Sequence, residues 1–517
     1  MNIPTSLTVN ARRYPEKVAI VCEGRTYSYR ELDEEVNRFA NGLVKKGLQK
    51  GDKVSLFMKN SEHFIIAFYA VLRVGGVAVP VNYRLDSQDS SYIFRNSESA
   101  FAICDAEFEQ LVAEAKQQAE HLHQVIVNPA AQQEDHFHWD EVKSEDASAP
   151  AIEVLDRDDA EILYTSGTTG DPKGALFDHQ RIFQVNTAFA LSTGLTTNDR
   201  LIHAVPLFHA AQLNQFLVTG ILLGATNVIV RDFEPVQVME SFSEHQITVF
   251  FGLPEMYNML LEVQSKEQYD VSSVRKCLYG ADPIETSLIE KAMEFFGGSQ
   301  FYNLCVVTEG GPGGVMLSAE EHKTKSGVGG KAMLFTEARV VDDEFKDVEP
   351  GKIGEFILKS GMVMKEYYGL PEETEEAFSD GWLLTGDLAT IDEDGYISLV
   401  DRKQDRIISA GENIYSVEVE QAINSHPKVL ESATVGLPEE EWGEIVGVII
   451  VPKEGETIEE EELMSHCLKH LDGHKIPKKF LFADELPRNA SGKVLKYQLR
   501  DLHISEFTWF KPTASNR

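Results

Sequence analysis

Apolar residues fall at helical spacing after Ser28, where Ser28-Tyr29-Arg30-Glu31 reads as a capping box. Leu32, Val36, Phe39, Ala40 and Leu43 share one face, which predicts a helix reaching about Lys46. A short strand is expected over 54–58. Ser61 then opens a second helix whose apolar run, from Phe64 to Leu72, stops at Arg73 and at Gly75-Gly76. Val77-Ala78-Val79 reads as a buried strand, and the alternation recurs with strands over 227–230, 248–251 and 276–279, separated by helix-length segments. Strands alternating with helices predict an α/β fold with parallel-rich sheets.

Two stretches interrupt the pattern. Residues 129–150, which include Pro129, Ala130, Gln132, Gln133, Glu134 and Asp135, are polar and are expected to form a surface loop between two subdomains. The second falls at 401–405, where charged residues follow a strand-like 396–400, and the roughly 110 residues beyond it suffice for a small α+β domain of their own. The expected units are a large multi-subdomain piece, 1–402, and a C-terminal piece, 403–517.

Length and charge narrow the function. A chain of 517 residues with 43% hydrophobic content can fill large cores. Its 48 basic and 83 acidic residues leave a net charge of −35, which repels phosphodiester backbones and anionic membrane surfaces, so nucleic acid is not an expected partner. The longest apolar run is far short of the ~20 residues of a membrane-spanning helix. Residues 1–13 carry no apolar core of a secretion signal. Five scattered cysteines (Cys22, Cys104, Cys277, Cys305, Cys467), an odd number with no C-x-x-C pair, are expected to be free thiols in a reducing compartment, giving a cytoplasmic reading.

The densest chemical signal is Tyr164-Thr165-Ser166-Gly167-Thr168-Thr169-Gly170-Asp171-Pro172-Lys173-Gly174, directly after the apolar Ile162-Leu163. Glycines let backbone N–H groups converge, hydroxyls add donors and Lys173 adds charge, a combination suited to a polyphosphate. The segment is not a Walker loop, because no G-x-x-x-x-G-K-[ST] occurs in the chain.

This segment resembles the signature loop of the AMP-forming adenylate superfamily, which comprises acyl-CoA synthetases, luciferases and peptide-synthetase adenylation domains. Further segments resemble that family's motifs in the same order. They are Pro206-Leu207-Phe208-His209, Tyr279-Gly280-Ala281-Asp282-Pro283, Thr308-Glu309, Thr385-Gly386-Asp387, Asp401-Arg402 and Pro487-Arg488-Asn489-Ala490-Ser491-Gly492-Lys493. The overall pattern looks closest to bacterial medium- and long-chain fatty acyl-CoA synthetases.

The resemblance implies ATP, Mg2+ and coenzyme A as co-substrates and cofactor. It implies that Lys493 bridges the acyl carboxylate and the α-phosphate, and that Thr165 and Glu309 hold the magnesium ion. His209 then lies at the substrate carboxylate, and Gly280, Ala281, Asp282 and Thr308 at the adenylate. Asp387 and Arg402 bind the ribose hydroxyls, one as acceptor and the other as donor. Phe250, Phe251 and Gly252, with His209, would line the acyl pocket. Gln404 falls at the hinge about which the C-terminal domain swings, and Gly411, Trp442 and Gly443 at the face presented to CoA. These chemical types suit the reaction, since joining a carboxylate to a phosphate brings two anions together and needs opposing charge.

The chain also departs from the family. Cys305-Val306-Val307 stands where an aromatic residue and a glycine usually precede the threonine-glutamate pair, so the ring that stacks on adenine is missing. Ser416 stands where proline is usual. Gly327-Val328-Gly329-Gly330-Lys331-Ala332 fits a G-x-G-x-x-A pattern but follows a charged, non-strand segment and is not read as a dinucleotide site. His466, Cys467 and His470 are expected to share a solvated helix face rather than a zinc site. The leading expectation is an acid–thiol ligase making acyl-CoA from a carboxylic acid, a fatty acid foremost. A ligase loading a carrier-protein phosphopantetheine and a low-turnover nucleotide- or acyl-binding relative remain open, and a homodimer is compatible with the sequence.

Overall fold

The computed structural model describes residues 1–165, 171–280, 284–488, 493–501 and 508–509. The first helix of the predicted pattern runs Tyr29–Lys45, and its capping box is formed: Ser28 N–H donates to Glu31 Oε2 at 2.8 Å and Glu31 N–H to Ser28 Oγ at 3.2 Å. The second, Glu62–Arg73, is capped by Ser61 and buries nearly its whole length. Its core cluster takes Ile20 and Cys22 from one large sheet and Val54, Leu56 and Ile103 from the other, so a helix that is apolar all round lies between layers.

The described residues form four sheets. One has nine strands, antiparallel at both edges, and another eight, antiparallel at one edge, both otherwise parallel; a five-stranded sheet is antiparallel, and the remaining six-stranded sheet is mixed. The fold is therefore α/β, with parallel-rich sheets in a large N-terminal part and a small C-terminal part. All strands of the six-stranded sheet follow Arg402, beginning with Ile407–Ser409. No helix among the described residues is long and apolar enough to cross a membrane.

The segment 129–150 is not a plain loop. Phe137–His138 adds a parallel strand beside Gln124–Asn128, and the short helix Trp139–Val142 stacks Trp139 on Phe39 with ring centroids 3.9 Å apart. Two apolar residues among polar neighbours are too few to show a period. The strand expected over 396–400 continues as Ile397–Arg402, because its charged end is neutralised across the sheet and by the following domain. In the C-terminal helix Glu460–His470, Cys467 is buried in the core while His466 Nε2 lies 2.9 Å from the Ala422 carbonyl. Cys467 therefore does not share the histidines' face, which corrects the expectation.

A buried polar cluster joins the eight-stranded sheet and the helix His179–Thr193 to a π-helical segment, Ala211–Val218. Asn214 Nδ2 donates to Glu161 Oε1 at 2.5 Å, and Asn186 Nδ2 to the Asn214 carbonyl. Burial pushes the Glu161 carboxyl up to about 8, so it stays protonated near neutrality; among the described residues Glu161 Oε2, Asn186 Oδ1 and Asn214 Oδ1 are all buried without a hydrogen-bond partner. A carboxyl raised in the fold contributes stability that is present below its unfolded value and is lost as pH rises through about 8. Glu161→Gln, which mimics the protonated form, should raise the melting temperature at pH 8 by several degrees and change it little at pH 5. Equal shifts at both pH values would contradict a neutral Glu161.

Candidate active site

The loop beginning at Thr165 is framed by an antiparallel strand pair, Asp159–Tyr164 and Gly174–Asp178. Thr165 N–H donates to the Lys173 carbonyl at 2.9 Å, closing the loop at its base. Ser166, Gly167, Thr168, Thr169 and Gly170 lie outside the described residues, as do Ala281 and Asp282. Gly280 ends the strand Lys276–Gly280 against its neighbour so closely that a Cβ there would sit 2.1 Å from the Leu304 carbonyl oxygen. Only glycine fits.

Thr308 and Glu309 form a turn at the end of the strand Gln300–Val307. Glu309 Oε1 accepts a hydrogen bond from Tyr367 Oη at 2.7 Å, and the Glu309 carbonyl accepts from Met364 N–H at 2.8 Å. Lys173 Nζ stands 5.2 Å from the centroid of the Tyr367 ring. The base of the loop and Glu309 are thus linked through Tyr367. A partly exposed carboxylate next to Thr308 in the chain is a hard-oxygen donor, which fits Mg2+ completed by phosphate oxygens and water.

Asp387 and Arg402 face each other across antiparallel strands and form an ion pair, Arg402 Nε to Asp387 Oδ1, at 3.0 Å. Asp387 is buried and Arg402 half-exposed. Burial holds the Asp387 carboxyl above its ordinary value; Arg402 and Lys493 pull it back, while Glu309 and Asp401 push the same way as burial. His209 follows Phe208, whose ring lies 4.4 Å away and packs edge-on against Tyr83. Burial, with the charges of Lys493 and Arg84, lowers the His209 imidazole to about 4. The Lys493 charge thus contributes to both shifts, at His209 and at Asp387.

The proposed acyl wall divides. In the strand Val249–Gly252, Phe251 stacks on Phe216 of the π-helical segment at 4.6 Å, beside the helix that follows His209. Phe250 points to the opposite face, packed among Phe242, Tyr257 and Phe296. Alternation along a strand sends these neighbours to opposite faces. A Cβ at Gly252 would lie 2.7 Å from the Phe250 ring, so glycine leaves room for that ring.

The C-terminal residues also converge. Ser409 pairs with Gly443, and Ala410 N–H donates to the Trp442 carbonyl at 2.8 Å, bringing Gly411, Trp442 and Gly443 to one exposed corner. Gly411 has φ +82°, a conformation that suits glycine. Gln404 lies in the short turn Lys403–Asp405, its carbonyl accepting from Arg500 at 2.7 Å. Ser416 has a reason to differ from proline: its N–H and its hydroxyl both donate to Asp401 Oδ2, at 2.6 and 2.8 Å, while Lys496 Nζ donates to Ser416 Oγ. Proline could supply neither donor.

Cys305 occupies the strand Gln300–Val307, with its thiol pushed up to about 12 by burial and the Asp387 charge. It remains a neutral, ringless surface. The double change Cys305→Tyr and Val306→Gly should lower the KM for ATP about tenfold if a stacking face is what the site lacks. An unchanged KM would show that the nucleotide is held without it. Tyr367, Phe216 and Arg84 were not singled out by sequence reasoning; a tyrosine near Gly369-Leu370-Pro371 carries no local signal of the partner it meets.

Fold and site together define an enzyme of nucleotide-dependent acid activation, with a charge-bearing lysine carried on a second domain. The chain belongs to the AMP-binding enzyme family: residues 7–368 match that family and residues 418–493 its C-terminal domain. It is 34% identical to a long-chain-fatty-acid–CoA ligase of Mycobacterium tuberculosis over 92% of both chains. It is also 34% identical to a feruloyl-CoA synthase of Amycolatopsis, covering 95% of this chain and 96% of that one. The structure of o-succinylbenzoate-CoA synthetase from Bacillus subtilis with its acyl-adenylate intermediate superposes with a TM-score of 0.86 at 32% identity, covering 97% and 98% of the two chains. The same enzyme has been solved with ATP and a magnesium ion, at a TM-score of 0.85. These matches support the class of AMP-forming CoA ligases that use ATP, Mg2+ and a small carboxylic acid.

Proposed function

We propose that this chain activates a fatty acid with ATP and transfers the acyl group to coenzyme A. The proposal is carried by the Asp387–Arg402 ion pair, Arg402 Nε to Asp387 Oδ1 at 3.0 Å, and the Tyr367-bonded Glu309, in a chain that matches the AMP-binding enzyme family and its C-terminal domain. In the first step an acid oxygen attacks the α-phosphorus and pyrophosphate leaves; in the second the CoA sulfur attacks the acyl carbon, its proton is released and AMP leaves.

Lys493 opposes the negative charge that gathers between carboxylate and phosphate. His209, neutral at working pH, offers an N–H to the acid without adding a second full charge. Asp387, braced by Arg402, accepts from ribose hydroxyls. Glu309 and Thr165 are the residues to hold Mg2+, which when bound screens the phosphate oxygens. Gly411, Trp442 and Gly443 form the face for the CoA arm, with the turn at Gln404 as hinge between units 1–402 and 403–517.

The stacked Phe216–Phe251 pair favours an apolar tail, as does the fatty-acid relative, while the feruloyl relative makes aryl acids the competing substrates. Acid-dependent exchange of labelled pyrophosphate into ATP ranks the candidates. Straight-chain acids are expected to give the highest kcat/KM, and a higher value for a hydroxycinnamic or succinylbenzoic acid would overturn the fatty-acid assignment.

A further inference from the structure

We propose that Tyr367 is a positioning residue with two separable tasks: its hydroxyl fixes the Glu309 carboxylate for the metal, and its ring seats Lys173 for the phosphates. The inference rests on the reading of Glu309 as a magnesium ligand. The short strand Glu366–Tyr367 pairs antiparallel with Gly174–Asp178, placing Tyr367 opposite Ala175, two residues beyond Lys173. Flanking bonds from Lys365 N–H to the Leu176 carbonyl and from Tyr368 N–H to the Gly174 carbonyl, 2.8 and 2.7 Å long, fix that register. Tyr367 N–H donates to Thr374 Oγ1 at 3.0 Å, so the backbone carrying the ring is held on both sides.

From this buried position the hydroxyl reaches Glu309 Oε1 at 2.7 Å. A hydrogen bond to an ionised carboxylate is stronger than a neutral one and directional, so it sets the plane of the carboxyl group. With Oε1 committed to Tyr367, Oε2 is the oxygen presented to a cation. The Lys173 ammonium at 5.2 Å from the ring centroid is within cation–π range, which restrains a long side chain that otherwise samples many rotamers. A carboxylate for the metal and an ammonium for the phosphates are thereby positioned by one side chain.

The two tasks predict different losses. Tyr367→Phe keeps the ring and removes the hydroxyl; Tyr367→Leu removes both. Mn2+ affinity of the full-length protein is read by electron paramagnetic resonance in the presence of a non-hydrolysable ATP analogue, and the KM for ATP at saturating Mg2+ is measured in parallel. Tyr367→Phe should weaken Mn2+ binding about tenfold with the KM for ATP nearly unchanged, and Tyr367→Leu should in addition raise that KM about threefold to tenfold. Wild-type Mn2+ affinity in Tyr367→Phe, alongside a loss in Glu309→Gln, would overturn the role of Tyr367 while leaving Glu309 as ligand. Unchanged Mn2+ affinity in Glu309→Gln would overturn the metal assignment and the inference built on it.

Discussion

Lys493→Ala is expected to slow formation of the acyl-adenylate by about a thousandfold, the upper range for removing one preorganised group opposing developing charge. Conversion of supplied acyl-adenylate and CoA to thioester should persist, because the lysine's role is confined to the step in which two anions meet. The proposed roles motivate that asymmetry: the Lys493 charge contributes to the shifts at His209 and Asp387, the residues assigned to the acid and the ribose. Single-turnover assays of each half-reaction check it. Equal loss in both would mean that the substitution disturbs the domain as a whole.

Asp387→Ala should raise the KM for ATP by one to two orders of magnitude, since one or two hydrogen bonds to a charged acceptor are worth about 1.5–3 kcal/mol each. Stability should not fall with it. The carboxyl is buried and held above its ordinary value, which means the fold accommodates the charge at a cost that Arg402 and Lys493 only partly offset. A carboxyl raised in this way makes its contribution to stability below its unfolded value, and that contribution is lost as pH rises above it. At neutral pH the variant should therefore melt at or above the parent temperature while binding ATP poorly. A loss of stability together with a normal KM would make Asp387 structural rather than ligand-directed.

Much of the fold was legible where periodicity was long. The helix Tyr29–Lys45 and the all-apolar helix Glu62–Arg73 announced themselves by cap and pattern, and the strands around Val77, Val249 and Lys276 by short apolar runs. Within such runs, however, the direction of each side chain was not readable. Phe250 and Phe251 are equally apolar, and only the neighbouring elements decide that Phe251 meets Phe216 while Phe250 enters the core among Phe242 and Phe296.

Buried polar residues were no more legible. Glu161, Asn186 and Asn214 are buried and bonded to one another, and no local pattern in the sequence marks them as core. The site motifs were visible because their residues are consecutive, as in Thr385-Gly386-Asp387. Tyr367 was not, because its meaning lies in Glu309, far away in the chain and 2.7 Å away in space. Ser416 stood out as a departure, and its reason emerged only from Asp401 and Lys496 around it.

The most direct test of the account is mass spectrometry of the products formed by purified protein with ATP, Mg2+ and a panel of acids from acetate to octadecanoate, with aryl acids included, in the presence and absence of CoA. The account predicts an acyl-CoA whose formation requires all four components and is strongest with a straight-chain fatty acid, with acyl-AMP seen when CoA is withheld. Acyl-AMP that persists when CoA is present, or no product from any acid, would contradict it.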